Sequence, residues 1–160
     1  MLDSRTPIGA ASRSDFPPQA AWLLPIALLL HQLEEWFGGF PEWTRFVVGT
    51  GIAPERFILI NAVALVLAVA CTMVAFRTRS MGWMVVSLAA LMGFNGILHG
   101  FASLLTGRYS PGSATGLILS LPLAVVVLRA ARATLPKRLL VGAVAAGILL
   151  HGVVTLAALA

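Results

Sequence analysis

The chain has 160 residues, 59% of them hydrophobic and 11% charged, with a mean hydropathy of +0.93, whereas soluble domains run about 45–50% apolar and about 25% charged. That balance excludes an ordinary soluble fold and makes the lipid bilayer the solvent. The net charge of +5 does not signal a nucleic-acid partner, because the basic residues sit at the ends of apolar runs, where they act as topology signals.

Residues 1–19 mix Ser, Arg, Asp and Pro without apolar periodicity and end at Pro17-Pro18, so they are expected to form a polar cytoplasmic tail. Residues 20–160 are expected to form a single transmembrane helical-bundle domain. The first apolar run is interrupted by charges and lacks a small-residue cleavage pattern, so no removed signal peptide is expected. Spans are placed at 20–37, 57–76, 82–106, 114–133 and 139–159. These runs are Leu/Ala/Val-rich without strict alternation, and inside hydrocarbon such a run satisfies its backbone only as a helix. The fold class is therefore all-α, a polytopic membrane bundle of about five transmembrane helices.

Between the first two spans, the aromatic, glycine and proline residues from Phe37 to Pro54 predict a loop carrying a short interfacial helix. Trp22, Trp36, Trp43, Trp83 and Tyr109 fall near span ends, where amphipathic rings prefer to sit. Cys71 lies inside an apolar run without a partner, which excludes disulfide frameworks and cysteine zinc knuckles. Pro25 and Pro122 are read as tolerated kinks, and Ser87, Ser103 and Ser120 have no context that marks a nucleophile. With five spans, Arg5, Arg13, Arg77, Arg79, Arg129, Arg132, Lys137 and Arg138 share the N-terminal side, against Arg45, Arg56 and Arg108 on the other. An inner (cytoplasmic) membrane protein with its N-terminus cytoplasmic and its C-terminus outside is expected.

Polar side chains inside spans are costly and usually face the bundle interior, where they act. All three histidines, His31, His99 and His151, fall inside predicted spans, as do Glu34, Glu35, Asn61 and Asn95. At a rise of about 1.5 Å per residue they lie roughly 16–25 Å from the cytoplasmic side, in one layer. At about 100° per residue, His31 and Glu35 share a helix face, with Glu34 about 60° to the other side of His31. Asn95 and His99 also share a face. Gly96 and Gly100, with Gly147 one turn before His151, would let these helices approach closely.

Imidazoles and carboxylates gathered in a dry pocket suit a metal ion, whose charge offsets that of the buried acids. His31, Glu34, Glu35, His99 and His151 are the expected ligands of a divalent ion, zinc or iron foremost, with Glu34, Glu35 and Asn95 in catalytic roles. The leading expectation is a metal-dependent intramembrane enzyme acting on a lipidic or isoprenoid-like substrate that enters from the bilayer. A proton- or metal-ion-coupled transporter or channel is the alternative, and a bis-histidine haem protein the third reading. Membrane lipids and a hydrophobic small molecule are the expected partners. An ion pathway in so short a chain would need a homo-oligomer.

At His31-Gln32-Leu33-Glu34-Glu35 the chain carries the motif His-x-x-Glu-Glu, and over nearly its whole length it resembles the HXXEE family of small bacterial and archaeal membrane proteins. The resemblance implies that His31, Glu34 and Glu35 form the functional core. It names no substrate, because the family has no assigned activity. A weaker similarity runs to three-histidine, zinc-dependent intramembrane hydrolases of lipid amides. Those have seven spans and differently spaced ligands, so no residue carries over.

Overall fold

The computed structural model describes residues 16–160, so most of the expected tail, with Arg5 and Arg13, lies outside the described residues. The chain enters at Phe16, which is buried in the core with its ring against Gly82. A 3-10 turn, Gln19–Trp22, leads into α1 (Leu23–Phe37). Pro25 falls in the first turn of α1, where an amide proton has no helical acceptor to lose. The turn and α1 together reach roughly 30 Å, the thickness of the hydrocarbon core.

The short amphipathic helix expected after the first span is α2 (Phe40–Val48), and α3 (Pro54–Arg77) follows it. A 3-10 turn, Arg79–Met81, precedes α4 (Trp83–Thr106). The next rod begins as α5 (Ser113–Thr115), widens through a π-helical turn at Gly116–Ser120 and continues as α6 (Leu121–Thr134). That wide turn ends two residues before Pro122, whose ring would otherwise clash with the carbonyl one turn back. The last helix is α7 (Lys137–Leu159).

Four segments, Pro54–Arg77, Arg79–Thr106, Ser113–Thr134 and Lys137–Leu159, are each long and apolar enough to cross a membrane. The fifth expected span is α1, which is shorter and carries two acids. Outward-facing residues such as Leu59, Val66, Leu104, Ile118, Leu149 and Leu156 are exposed. So large an apolar surface, on helices of this length, suits a lipid environment.

The bundle is organised around α4, which packs against α3, α6 and α7. Small residues at the contacts replace the hydrophobic drive that lipid removes between helices. Gly96 lies directly on Gly116 of the facing rod, and a Cβ on Gly96 would stand 2.5 Å from the Gly116 carbonyl oxygen. The core between α1, α4 and α6 is likewise built from alanine, valine and leucine, including Ala27, Ala89, Ala124 and Val127. Replacing Gly96 by Ala should therefore force α4 and the rod apart. Thermal unfolding in detergent should show a loss of about 1–3 kcal/mol, the usual cost of overpacking. An unchanged midpoint would contradict this packing.

Candidate metal centre

Two helices carry the centre. On α1, His31 and Glu35 are one turn plus a fraction apart and share the inward face, as the helical period requires. On α4, His99 reaches the same point from the opposite side. The Nε2 atoms of His31 and His99 lie 3.5 Å and 3.1 Å from the same oxygen, Oε1 of Glu35. The two imidazoles meet edge to face, with ring centroids 5.1 Å apart. All three side chains are buried, at 3%, 7% and 5% exposure for His31, Glu35 and His99.

One ligand atom from each of these residues lies within 4.8 Å of the others. Tetrahedral ligands at about 2.0–2.2 Å from zinc stand roughly 3.3–3.6 Å apart, so small adjustments close this set around an ion. Two imidazoles and one carboxylate are also the donor set that binds catalytic zinc and non-haem iron. The buried His31-Glu35-His99 group can therefore hold a metal ion.

Both histidines are braced at their other nitrogen by a hydroxyl from the segment after α4. His31 Nδ1 is 3.0 Å from Thr115 Oγ1, and His99 Nδ1 is 3.0 Å from Ser110 Oγ. Such contacts at the remote ring nitrogen orient ligating histidines. Between them lies Gly112, at φ 102°, where a Cβ would meet His31 Cε1 at 2.7 Å and His99 Cε1 at 2.9 Å. No side chain fits there, so the bare backbone lies directly over both rings.

Glu34 stands apart from this group. Its carboxylate points to the segment after α4, accepting hydrogen bonds from the amides of Gly112 (2.9 Å), Ala114 (3.1 Å) and Thr115 (2.7 Å) and from the hydroxyls of Thr115 and Tyr109. Burial, and then the neighbouring Glu34 carboxylate, push the Tyr109 phenol above its ordinary value. It therefore remains a donor at neutral pH. With both oxygens of Glu34 engaged in this way, the structure does not bring it to the metal group as a ligand.

His151 is not a member of the three-residue group either. Its Nε2 contacts Asn95 Oδ1 at 3.0 Å, and Asn95 Nδ2 contacts His31 Nε2 at 2.8 Å. Asn95 is thus the link between His151 and the centre. Asn61 back-bonds to Phe57 and receives a bond from Gln32 on its backbone oxygen, without touching the histidines. The His31 and His99 rings are in direct edge-to-face contact, and Asn95 lies between His31 and His151, so neither of these two pairs brackets the flat space a haem requires.

Sequence reasoning missed Ser110, Gly112 and Thr115. Their only signal is a polar, glycine-containing stretch, Tyr109-Ser110-Pro111-Gly112-Ser113-Ala114-Thr115, between two apolar runs. Ser103, which also looked ordinary, supports the same segment by accepting from the Ser110 amide at 2.8 Å and pairing with Ser113 Oγ at 2.8 Å.

Beside the centre is a cavity of about 520 Å³. His31, Glu35, Asn95, His99 and His151 gather on its wall, while Leu28, Ile60, Ala64, Leu91 and Val154 make most of the remainder apolar. Phe40, Trp43 and Val47 of α2 close one end, with the Phe40 ring 5.1 Å from that of His99. Its flanks are formed by α3 and α7, which touch each other only sparsely.

A family model described as "protein of unknown function with HXXEE motif" matches residues 22–127, about two thirds of the chain, and the chain belongs to that family. The matched range includes His31, Glu34, Glu35, Asn95, His99 and the segment through Thr115, and stops before α7. No curated protein and no solved structure shows significant similarity to the chain.

Proposed function

We propose that this member of the HXXEE family is a metal-dependent enzyme of the bilayer interior that acts on an apolar, lipid-like molecule. His31, Glu35 and His99 would supply three protein ligands to a divalent zinc or iron ion, and all three line the cavity. The observation that carries this reading is the location of the buried His/Glu group on the wall of a largely apolar 520 Å³ cavity. Such a chamber holds the hydrocarbon of a substrate while presenting one polar point to the ligand set.

When bound, the ion would activate water or polarise a substrate carbonyl. The remaining roles fall to the chain. Glu35 contributes the negative charge that makes a cation favourable in a dry site. Ser110 and Thr115 orient the two imidazoles. Asn95 and His151, at hydrogen-bond distance from each other and on the cavity wall, are placed to hold the polar end of the substrate, and His151 to exchange a proton with it. Substrate enters sideways between α3 and α7. The protein sits in the inner membrane with its N-terminus cytoplasmic, as the distribution of basic residues favours.

The test is metal content together with the fate of co-purifying lipid. Protein purified in native-lipid nanodiscs should carry about one zinc or iron per chain and lose it in His99→Ala. Mass spectrometry should find a lipid in wild-type protein that is converted when metal is supplied and not when it is chelated. Wild-type protein with no affinity for either metal would overturn the reading. Ion flux in proteoliposomes without lipid turnover would move the assignment to transport.

A further inference from the structure

The two adjacent acids of the His-x-x-Glu-Glu motif face different surroundings. Glu35 meets the imidazoles, and Glu34 gathers the segment that covers them. Gly112, Ala114 and Thr115 donate their amides to Glu34, and Tyr109 and Thr115 add hydroxyls. Ser110 and Gly112, which touch His99, lie within the same segment.

Proton counting gives the arrangement a direction. A carboxylate only accepts, so the single hydroxyl proton of Thr115 is donated to Glu34. Toward His31 the Thr115 oxygen is then an acceptor, and the proton in the 3.0 Å contact belongs to His31 Nδ1. His31 Nε2 is left with its lone pair, facing Glu35 and Asn95. The Asn95 amide agrees, since its Nδ2 faces His31 Nε2 as a donor while its Oδ1 faces His151 as an acceptor. A metal-binding imidazole needs this tautomer.

We infer that Glu34 is a positioning residue: by clipping residues 109–115 over the centre and polarising Thr115, it holds His31 as the Nδ1–H tautomer, whose Nε2 lone pair an ion would take over from the Asn95 amide. This deepens the metal-site reading and rests on it. The role explains why the motif has two consecutive acids, one aimed at the ion and the other at the scaffold that aims a histidine.

The experiment compares wild type, Glu34→Gln, Thr115→Val and Thr115→Ser, with ¹⁵N-labelled histidine, in nanodiscs. Nitrogen shifts of His31 in metal-free protein report its tautomer directly, a signature that a merely structural contact would not set. Wild type and Thr115→Ser should show Nδ1–H. Thr115→Val and Glu34→Gln should show a mixed or Nε2–H population. Cobalt(II) titration should then give 10–100-fold weaker binding in those two variants, the range typical of lost orienting partners, with Ser at position 115 restoring it. An Nδ1–H tautomer in all four proteins, or unchanged cobalt affinity in both weakened variants, overturns the inference. A wild type that shows the tautomer but takes up no metal removes the metal-site reading and leaves the hydrogen-bonding assignment intact. If Thr115→Val fails to fold, Glu34→Gln with the Thr115→Ser control decides alone.

Discussion

Glu35→Gln is expected to yield a folded protein that holds no stoichiometric metal. Glutamine matches glutamate in volume and keeps a carbonyl oxygen that can face His99 Nε2, now 3.1 Å from the Glu35 carboxylate. The bundle therefore loses no packing. What it loses is the anion. Two neutral imidazoles in a water-poor site leave the charge of a divalent ion uncompensated, and burial of a charge without a partner is strongly unfavourable. Loss of an orienting partner alone weakens metal binding by about 10–100-fold, so loss of a charged ligand must exceed that range. The check is metal content and circular dichroism on the same preparation, followed by melting with and without added zinc. Wild type should be stabilised by metal, by about 2.7 kcal/mol at a hundred times the dissociation constant, while Glu35→Gln shows no shift. A glutamine variant with wild-type metal content would show that Glu35 is not a ligand.

Gly112→Ala should be nearly as damaging, although Gly112 carries no chemistry. Its φ of 102° disfavours any side chain, and the new methyl carbon would lie 2.7 Å from His31 Cε1 and 2.9 Å from His99 Cε1. Either both rings turn or the segment lifts, and each outcome breaks the contacts of Thr115 to His31 and Ser110 to His99. Metal affinity should fall by more than the 10–100-fold seen when one orienting contact is lost, and stability by about 1–3 kcal/mol from overpacking and backbone strain. Metal titration and thermal unfolding in detergent measure both. Wild-type affinity in this variant would mean that the backbone does not lie on the imidazoles.

The helical bundle was legible because hydropathy reports it directly. An apolar run in lipid has almost no alternative to a helix, and the spans placed at 57–76, 82–106, 114–133 and 139–159 correspond to helices that end within a few residues of them. Less visible was the start of the first span. There, Phe16 is drawn into the core ahead of a 3-10 turn, a tertiary contact with Gly82 that no local pattern encodes.

Within the site, His31, Glu35 and His99 stood out because polar side chains are expensive in a span and these share inward faces. The division between Glu34 and Glu35 did not. Helical angles place the two acids on either side of His31 but cannot say which side meets α4 and which meets the returning segment. That depends on the docking of residues 109–115, held by Gly112 and by hydroxyls whose residue types are common in any loop. The distance of His151 from the ligand group follows from the packing of α4 against α7, which depth along the helix does not register.

The central claim is that His31, Glu35 and His99 bind one ion, and X-ray absorption at the metal edge tests it most directly. Protein loaded with a single equivalent of zinc should show two imidazole nitrogens at about 2.0–2.1 Å with the remaining shell filled by oxygen at about 2.0–2.2 Å, and His99→Ala should leave one imidazole. A zinc shell without histidine scattering, or one that His99→Ala does not alter, would contradict the site.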